Sequence, residues 1–155
     1  MARGFTLIEL LITITIVAIL STVALPMAEV AVQRSKEQDL RAALREIRSA
    51  IDAYRQASDE GRVAKTLQST GYPETLELLA AGVPDSKNPN AAKIYFLRRI
   101  PRDPFFRDPS VSATETWGKR AYASPPDDPR PGEDVFDVFS QAEGIGLNGI
   151  PYREW

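Results

Sequence analysis

From Leu10 to Ala28 the chain runs for nineteen residues without a charge, and its only hydroxyls there are Thr13, Thr15, Ser21 and Thr22. A helix rising about 1.5 Å per residue over that length nearly matches a hydrocarbon core of about 30 Å, so the stretch is able to cross a bilayer. Glu9 stands at its edge and is the only charged residue between Gly4 and Ala28. A carboxylate held at that depth costs on the order of several kcal/mol unless a cation meets it. Glu9 therefore asks for a partner. Arg3, to which the acid could snorkel, is one choice within the chain.

Past the apolar run the pattern changes. Leu40, Leu44, Ile47, Ile51 and Tyr54 recur at spacings of four and three, with Arg41, Arg45, Glu46, Arg48, Asp52 and Arg55 between them. That is the stripe of an amphipathic helix laid on a core. No glycine interrupts Phe5 to Ser58, and Pro26 is the only proline there. The pattern predicts one long helix, bent or melted near Pro26, where the ring crowds the Thr22 carbonyl and a backbone donor is lost. Ser21 and Thr22 are expected to help satisfy the freed carbonyls. From Asp59 onward lie eleven of the twelve prolines and eight of the nine glycines, so loops dominate. Within them, Pro73–Ala80 fits a short second helix, and Lys119–Ser124 and Asp134–Gln141 read as strands. A last short strand is expected near Ile150–Trp155. The fold class is α+β: a long N-terminal helical spine packed on a small C-terminal antiparallel sheet with long loops.

The chain has 155 residues, no cysteine, no histidine and a formal charge of −2. One modest soluble domain fits that length. Disulfides, cysteine or histidine zinc sites, and Ser/His or Cys/His catalytic pairs are excluded. The paired acids Asp127/Asp128 and Glu133/Asp134 flank a proline-rich loop with no apolar pocket signal and read as solvated loop acids, not as an acid/base set. Gly144, Gly146 and Gly149 lack the strand and helix of a phosphate loop and read as a turn. Arg98, Arg99, Arg102 and Arg107 beside Tyr95, Phe96, Phe105 and Phe106 have the composition of a single-strand nucleic-acid platform. A structural or intersubunit role is the stronger expectation, and no nucleic-acid partner is expected.

A secretory signal would need a cut near Thr22–Ala24, yet the helical pattern runs straight through that site. Gly4–Leu11, "GFTLIELL", instead resembles the class III signal of type IV pilins and type II secretion pseudopilins. Gly4 precedes the cut, Phe5 becomes the new N-terminus, and Glu9 and Pro26 stand at the family's places. Downstream, Gly71–Gly82, Tyr95–Phe105, Trp117–Pro125 and Phe136–Ser140 resemble, in order, the landmarks of the major pseudopilin, the G protein of type II secretion. Two departures stand out. Phe106–Thr116 separates landmarks that are usually adjacent. The acidic calcium-binding loop is replaced by Ser140–Trp155, where Glu143 and Asn148 are the nearest oxygen donors for a Ca2+ ion that takes six or more.

The resemblance implies a division into a leader peptide (1–4), a transmembrane and filament-core helix (5–28), its amphipathic continuation (29–58) and a periplasmic globular domain (59–155). It implies cleavage between Gly4 and Phe5 by prepilin peptidase, N-methylation of Phe5, and a non-enzymatic subunit. That subunit would polymerise with itself, working with an inner-membrane assembly platform and minor pseudopilins. A bacterial inner-membrane anchor with the C-terminal domain in the periplasm follows. Glu9 is the assembly residue, matched by the α-amine of Phe5, and Asp52 with Arg98 is a candidate intersubunit pair. The alternatives are a type IV pilin for adhesion or motility, a membrane-anchored binding module that never polymerises, and a secreted calcium-binding domain. Mass spectrometry of the mature chain should find Phe5 at its start, carrying a methyl group; a start near Leu25 would remove the spine and contradict the resemblance.

Overall fold

The computed structural model describes residues 6–66, 69–88 and 93–155, with the backbone alone at Val23. Gly4 and Phe5, the expected cleavage and methylation point, lie outside the described residues. The chain divides into two compact units, Met1–Lys36 and Glu37–Trp155. One helix, α1 (Leu7–Asp59), contributes to both and contains Pro26 without a break in its helical backbone. It is followed by α2 (Glu77–Ala81), β1 (Trp117–Arg120) and β2 (Asp137–Ser140), with 3-10 turns at Ala113–Thr116 and Tyr152–Glu154. A long N-terminal helix with a small antiparallel sheet is the expected α+β class.

In the second unit the whole expected stripe, Leu40, Leu44, Ile47, Ile51 and Tyr54, is buried, with Ala43, Ala50 and Ala57 filling the spaces between. Leu76 and Leu79 of α2, Trp117 of β1, Val138 of β2, and Val83, Leu97 and Tyr152 complete the core. Two strands cannot hold a sheet by themselves, so the helix face supplies the apolar partner they need. Trp117 is 1% exposed and its indole N–H donates to the Pro101 carbonyl at 2.8 Å, leaving no polar atom stranded.

The sheet is shorter than the pattern of β-branched and aromatic residues predicts. β1 pairs antiparallel with β2 in the register Trp117↔Ser140 to Arg120↔Asp137. Gly118 is required there, because a Cβ would lie 2.3 Å from the Phe139 ring. After Arg120 the chain turns: Ala121 N–H bonds Arg130 O, and Ser124 N–H bonds Ala121 O. The predicted strand through Ser124 therefore stops at Arg120. Asp134 is buried, correcting the expectation of a solvated loop acid. Its carboxylate accepts the Tyr122 N–H at 2.8 Å and the Thr70 hydroxyl, which ties two loops to the start of the β2 segment. Asp127, Asp128 and Glu133 are exposed as expected.

The second helix also starts later than Pro73. Pro73 gives its carbonyl to Val135 N–H at 2.8 Å, so the chain is still pairing there, and α2 begins four residues on. Gly82 ends it at φ +74°, a conformation glycine adopts without strain. Near Ile150–Trp155 a single bridge, Ile145↔Pro151, and a 3-10 turn replace the predicted last strand. The Phe106–Thr116 insertion is folded by Arg102, which donates to the Val111 and Asp108 carbonyls. Its end, Ala113–Thr116, carries a Ser112/Glu115 capping box and leads into β1.

Loops this long are tied by ion pairs. Arg62 reaches Asp85 at 2.9 Å and holds its carboxyl below the usual carboxylate range, helped by the Lys87 backbone N–H. A carboxyl with a lowered folded pKa adds stability above its unfolded pKa, about 3.9, and loses it as pH falls through the folded value. Asp85→Asn should therefore lower the melting temperature at pH 7, and the gap to the native chain should narrow as pH falls through the folded pKa, which lies below the unfolded value of about 3.9. An equal gap at pH 7 and in acid in thermal unfolding would contradict this.

Candidate functional site

The first unit is built around how α1 begins. Thr6 precedes the helix, and its hydroxyl accepts the Glu9 N–H at 3.3 Å, while its carbonyl accepts the Leu10 N–H at 3.2 Å. Thr6-Leu7-Ile8-Glu9 thus has the Thr-x-x-Glu spacing of a capping box, with the threonine half made. Glu9 lies in the first turn, at the positive end of the helix dipole, where an anion gains about 0.3–1 kcal/mol. That is a fraction of the cost of a carboxylate in hydrocarbon, so the requirement for a cation stands.

Beyond Glu9 every described side chain through Val32 is exposed. The exposed set includes Leu10, Leu11, Ile12, Ile14, Ile16, Val17, Ile19 and Leu20, which point to all sides of a 3.6-residue helix. A helix apolar all round belongs in lipid or among other apolar helices. Its four hydroxyls suit either place, because each bonds inside the helix. Thr13 donates to Leu10 O, Thr15 to Leu11 O, Ser21 to Val17 O and Thr22 to Ile19 O, at 2.7–2.8 Å. No hydroxyl needs water. Ser21 and Thr22 therefore bond the Val17 and Ile19 carbonyls, not the Thr22 carbonyl that Pro26 leaves without its usual donor.

In the second unit Asp52 and Arg98 are both exposed, and among the described residues neither joins an ion pair. They are left available to other molecules. Two of the four aromatic residues near the arginines are spent on packing, Phe105 stacked on Tyr152 at 4.2 Å and Phe96 against Tyr54 at 5.3 Å, while Tyr95 is exposed. Gly146–Gly149 forms the expected turn, closed by Gly149 N–H to Gly146 O at 2.8 Å. The calcium donors do not fit a cage. Asn148 Oδ1 is taken by the Ile150 N–H at 3.1 Å, Glu143 is exposed, and the described residues hold no group of three or more acids that could bind a metal.

Several working side chains escaped the sequence pattern. Asp103, 2% exposed, accepts from the Ser140 hydroxyl and the Phe105 N–H. Glu37 is buried and accepts from Leu147 and Tyr152, and Arg48 spans to Asp137, Val138 and Trp155. For Glu37 a signal existed: it extends the stripe by three residues before Leu40, an acid at a core position. Thr6 was likewise readable from its spacing to Glu9.

Residues 1–25 match the family model described as the prokaryotic N-terminal methylation motif, a type IV pilin-like prepilin signal. No curated protein and no solved structure matches the chain. The chain thus joins a prepilin-type signal to a single described helix long and apolar enough to cross a membrane.

Proposed function

We propose that this chain is the structural subunit of a helical filament, the major pseudopilin of a periplasmic pseudopilus that drives type II secretion. The observation that supports it is the uncharged, apolar surface of Leu10–Ala28, exposed on all sides and joined to a prepilin signal. Lipid solvates that surface in the inner membrane, with the second unit in the periplasm. Other copies of the same helix solvate it in the filament core, so assembly exchanges one apolar environment for another. The assembly platform and minor pseudopilins would start and feed the process.

Prepilin peptidase cleaves after Gly4, and the new α-amine of Phe5 is the cation that Glu9 requires. The pair forms most favourably between neighbouring copies, where it also sets the axial register of each incoming subunit. Cleavage and assembly are then chemically linked, and an unprocessed chain does not polymerise. Pro26 leaves the helix adjustable in the core, because one backbone bond is already missing. On the surface, Asp52 of one copy meets Arg98 of the next, a pair worth about 0–1 kcal/mol that repeats along the polymer.

Glu9→Leu removes the costly carboxylate, so insertion and cleavage should be kept or improved while filament yield falls severely, since the amine is left unpaired in the core. Normal filament yield with a processed Phe5 would overturn the pairing, and a chain that never polymerises under any expression level would favour the anchored binding module. Charge reversal at Asp52 should weaken assembly and reversal at Arg98 should rescue it; unchanged assembly in the Asp52 variant would remove that contact.

A further inference from the structure

The pseudopilin resemblance leads one to expect a calcium ion to fasten the Ser140–Trp155 segment, and the oxygens present there do not form a cage for one. We infer that the chain's own charges on α1, Glu37 and Arg48, do that work, so the segment is locked without a metal. The two residues are eleven apart, about three helical turns, and so share a face of α1. Each grips a different part of the segment.

Glu37, 4% exposed, accepts the Leu147 N–H at 2.8 Å and the Tyr152 hydroxyl at 3.0 Å with the same oxygen. One buried carboxylate thereby holds the Gly146–Gly149 turn at Leu147 and the chain just beyond it at Tyr152. Arg48 donates to Asp137 Oδ1 at 2.8 Å, to Val138 O at 3.0 Å and to Trp155 O at 2.7 Å, joining strand β2 to the far end of the segment. Aromatic packing closes the space between them. Tyr152 lies between Phe105, stacked at 4.2 Å, and Trp155, edge-on at 5.1 Å, and the Arg41 guanidinium covers the Trp155 ring at 4.3 Å.

The loop's oxygens are meanwhile used internally. Asn148 Oδ1 takes the Ile150 N–H, Gly146 O takes the Gly149 N–H, Gly144 O takes the Tyr152 N–H, and Ile150 O takes both the Gly146 N–H and the Trp155 indole. Most of them thus already serve the turn, and no carboxylate stands among them to attract a divalent cation, Glu143 being exposed. A carboxylate and a guanidinium, each making two or three charge-assisted bonds, supply the cross-linking that a divalent ion gives elsewhere. The lock belongs to the second unit and is independent of whether the chain forms filaments.

The test is amide hydrogen exchange and thermal unfolding of the full chain in detergent micelles, with millimolar calcium chloride or with chelator. Melting temperature and exchange across residues 143–155 should be the same in both conditions. Glu37→Gln and Arg48→Met should speed exchange in that segment by about tenfold or more in either condition, as loss of charge-assisted hydrogen bonds opens it locally. Tyr152→Phe, which removes one hydroxyl and keeps the ring, should speed the Leu147–Tyr152 amides by a smaller factor and keeps the test valid if the charge variants do not fold. Calcium that raises the melting temperature by several degrees or slows exchange at residues 143–155 overturns the inference. Unchanged exchange in both Glu37→Gln and Tyr152→Phe overturns it as well.

Discussion

Everything else about this chain follows from an apolar surface that it does not cover itself. Burying a leucine or isoleucine side chain stabilises by about 1.5–3 kcal/mol, and Leu7–Val32 exposes them on every side. Water is therefore the wrong solvent for this segment. Its hydroxyls are turned onto its own carbonyls, and the one acid between Leu7 and Ala28, Glu9, is placed in the first turn beneath Thr6, where none of the described residues gives it a cation. An uncharged stretch satisfied in every respect except lateral apolar contact, with a carboxylate at its edge, is suited to lipid or to other apolar helices.

The same helix does a different task after Lys36, because its composition changes from apolar all round to a single stripe. That stripe organises a unit with little regular structure of its own. A four-residue strand pair and a five-residue helix leave most backbone groups without a ladder. Buried acids take over that role: Asp103 joins the loop after Pro101 to β2, Asp134 joins Thr70 to Tyr122, and Glu37 joins α1 to Leu147 and Tyr152. A buried carboxylate that accepts two or more hydrogen bonds is kept satisfied at each of these points, which is what makes it tolerable inside.

Periodicity made the helices and the core face legible, since Leu40 to Tyr54 can serve only one surface at that spacing. Composition located the loops. What was not legible was where pairing stops, because Ala121–Ser124 has strand-like residues but its hydrogen bonds go to Arg130 and into a turn. Polar residues that act at a distance in sequence were also hidden: Arg48 looks like any arginine on a solvated face, and its partners lie 89 to 107 residues away. Asp134 looked like a loop acid because nothing local reveals the Thr70 hydroxyl. In the candidate site, the apolar run, Glu9 and Pro26 stood out at once, whereas Thr6 showed itself only in its three-residue spacing to Glu9.

The central claim, that one helix surface passes from lipid to its own copies, is open to direct measurement because the chain has no cysteine of its own. A single Ile16→Cys carrying a nitroxide spin label reports its surroundings through oxygen access whatever the register, and its nearness to copies, on helices packed about 8–10 Å apart, through dipolar coupling. In dilute membranes the label should collide freely with oxygen and show no coupling to other labels. In the assembled fraction it should lose oxygen access and show strong dipolar broadening. An assembled fraction whose label stays as oxygen-accessible as in lipid, with no broadening, would contradict the account.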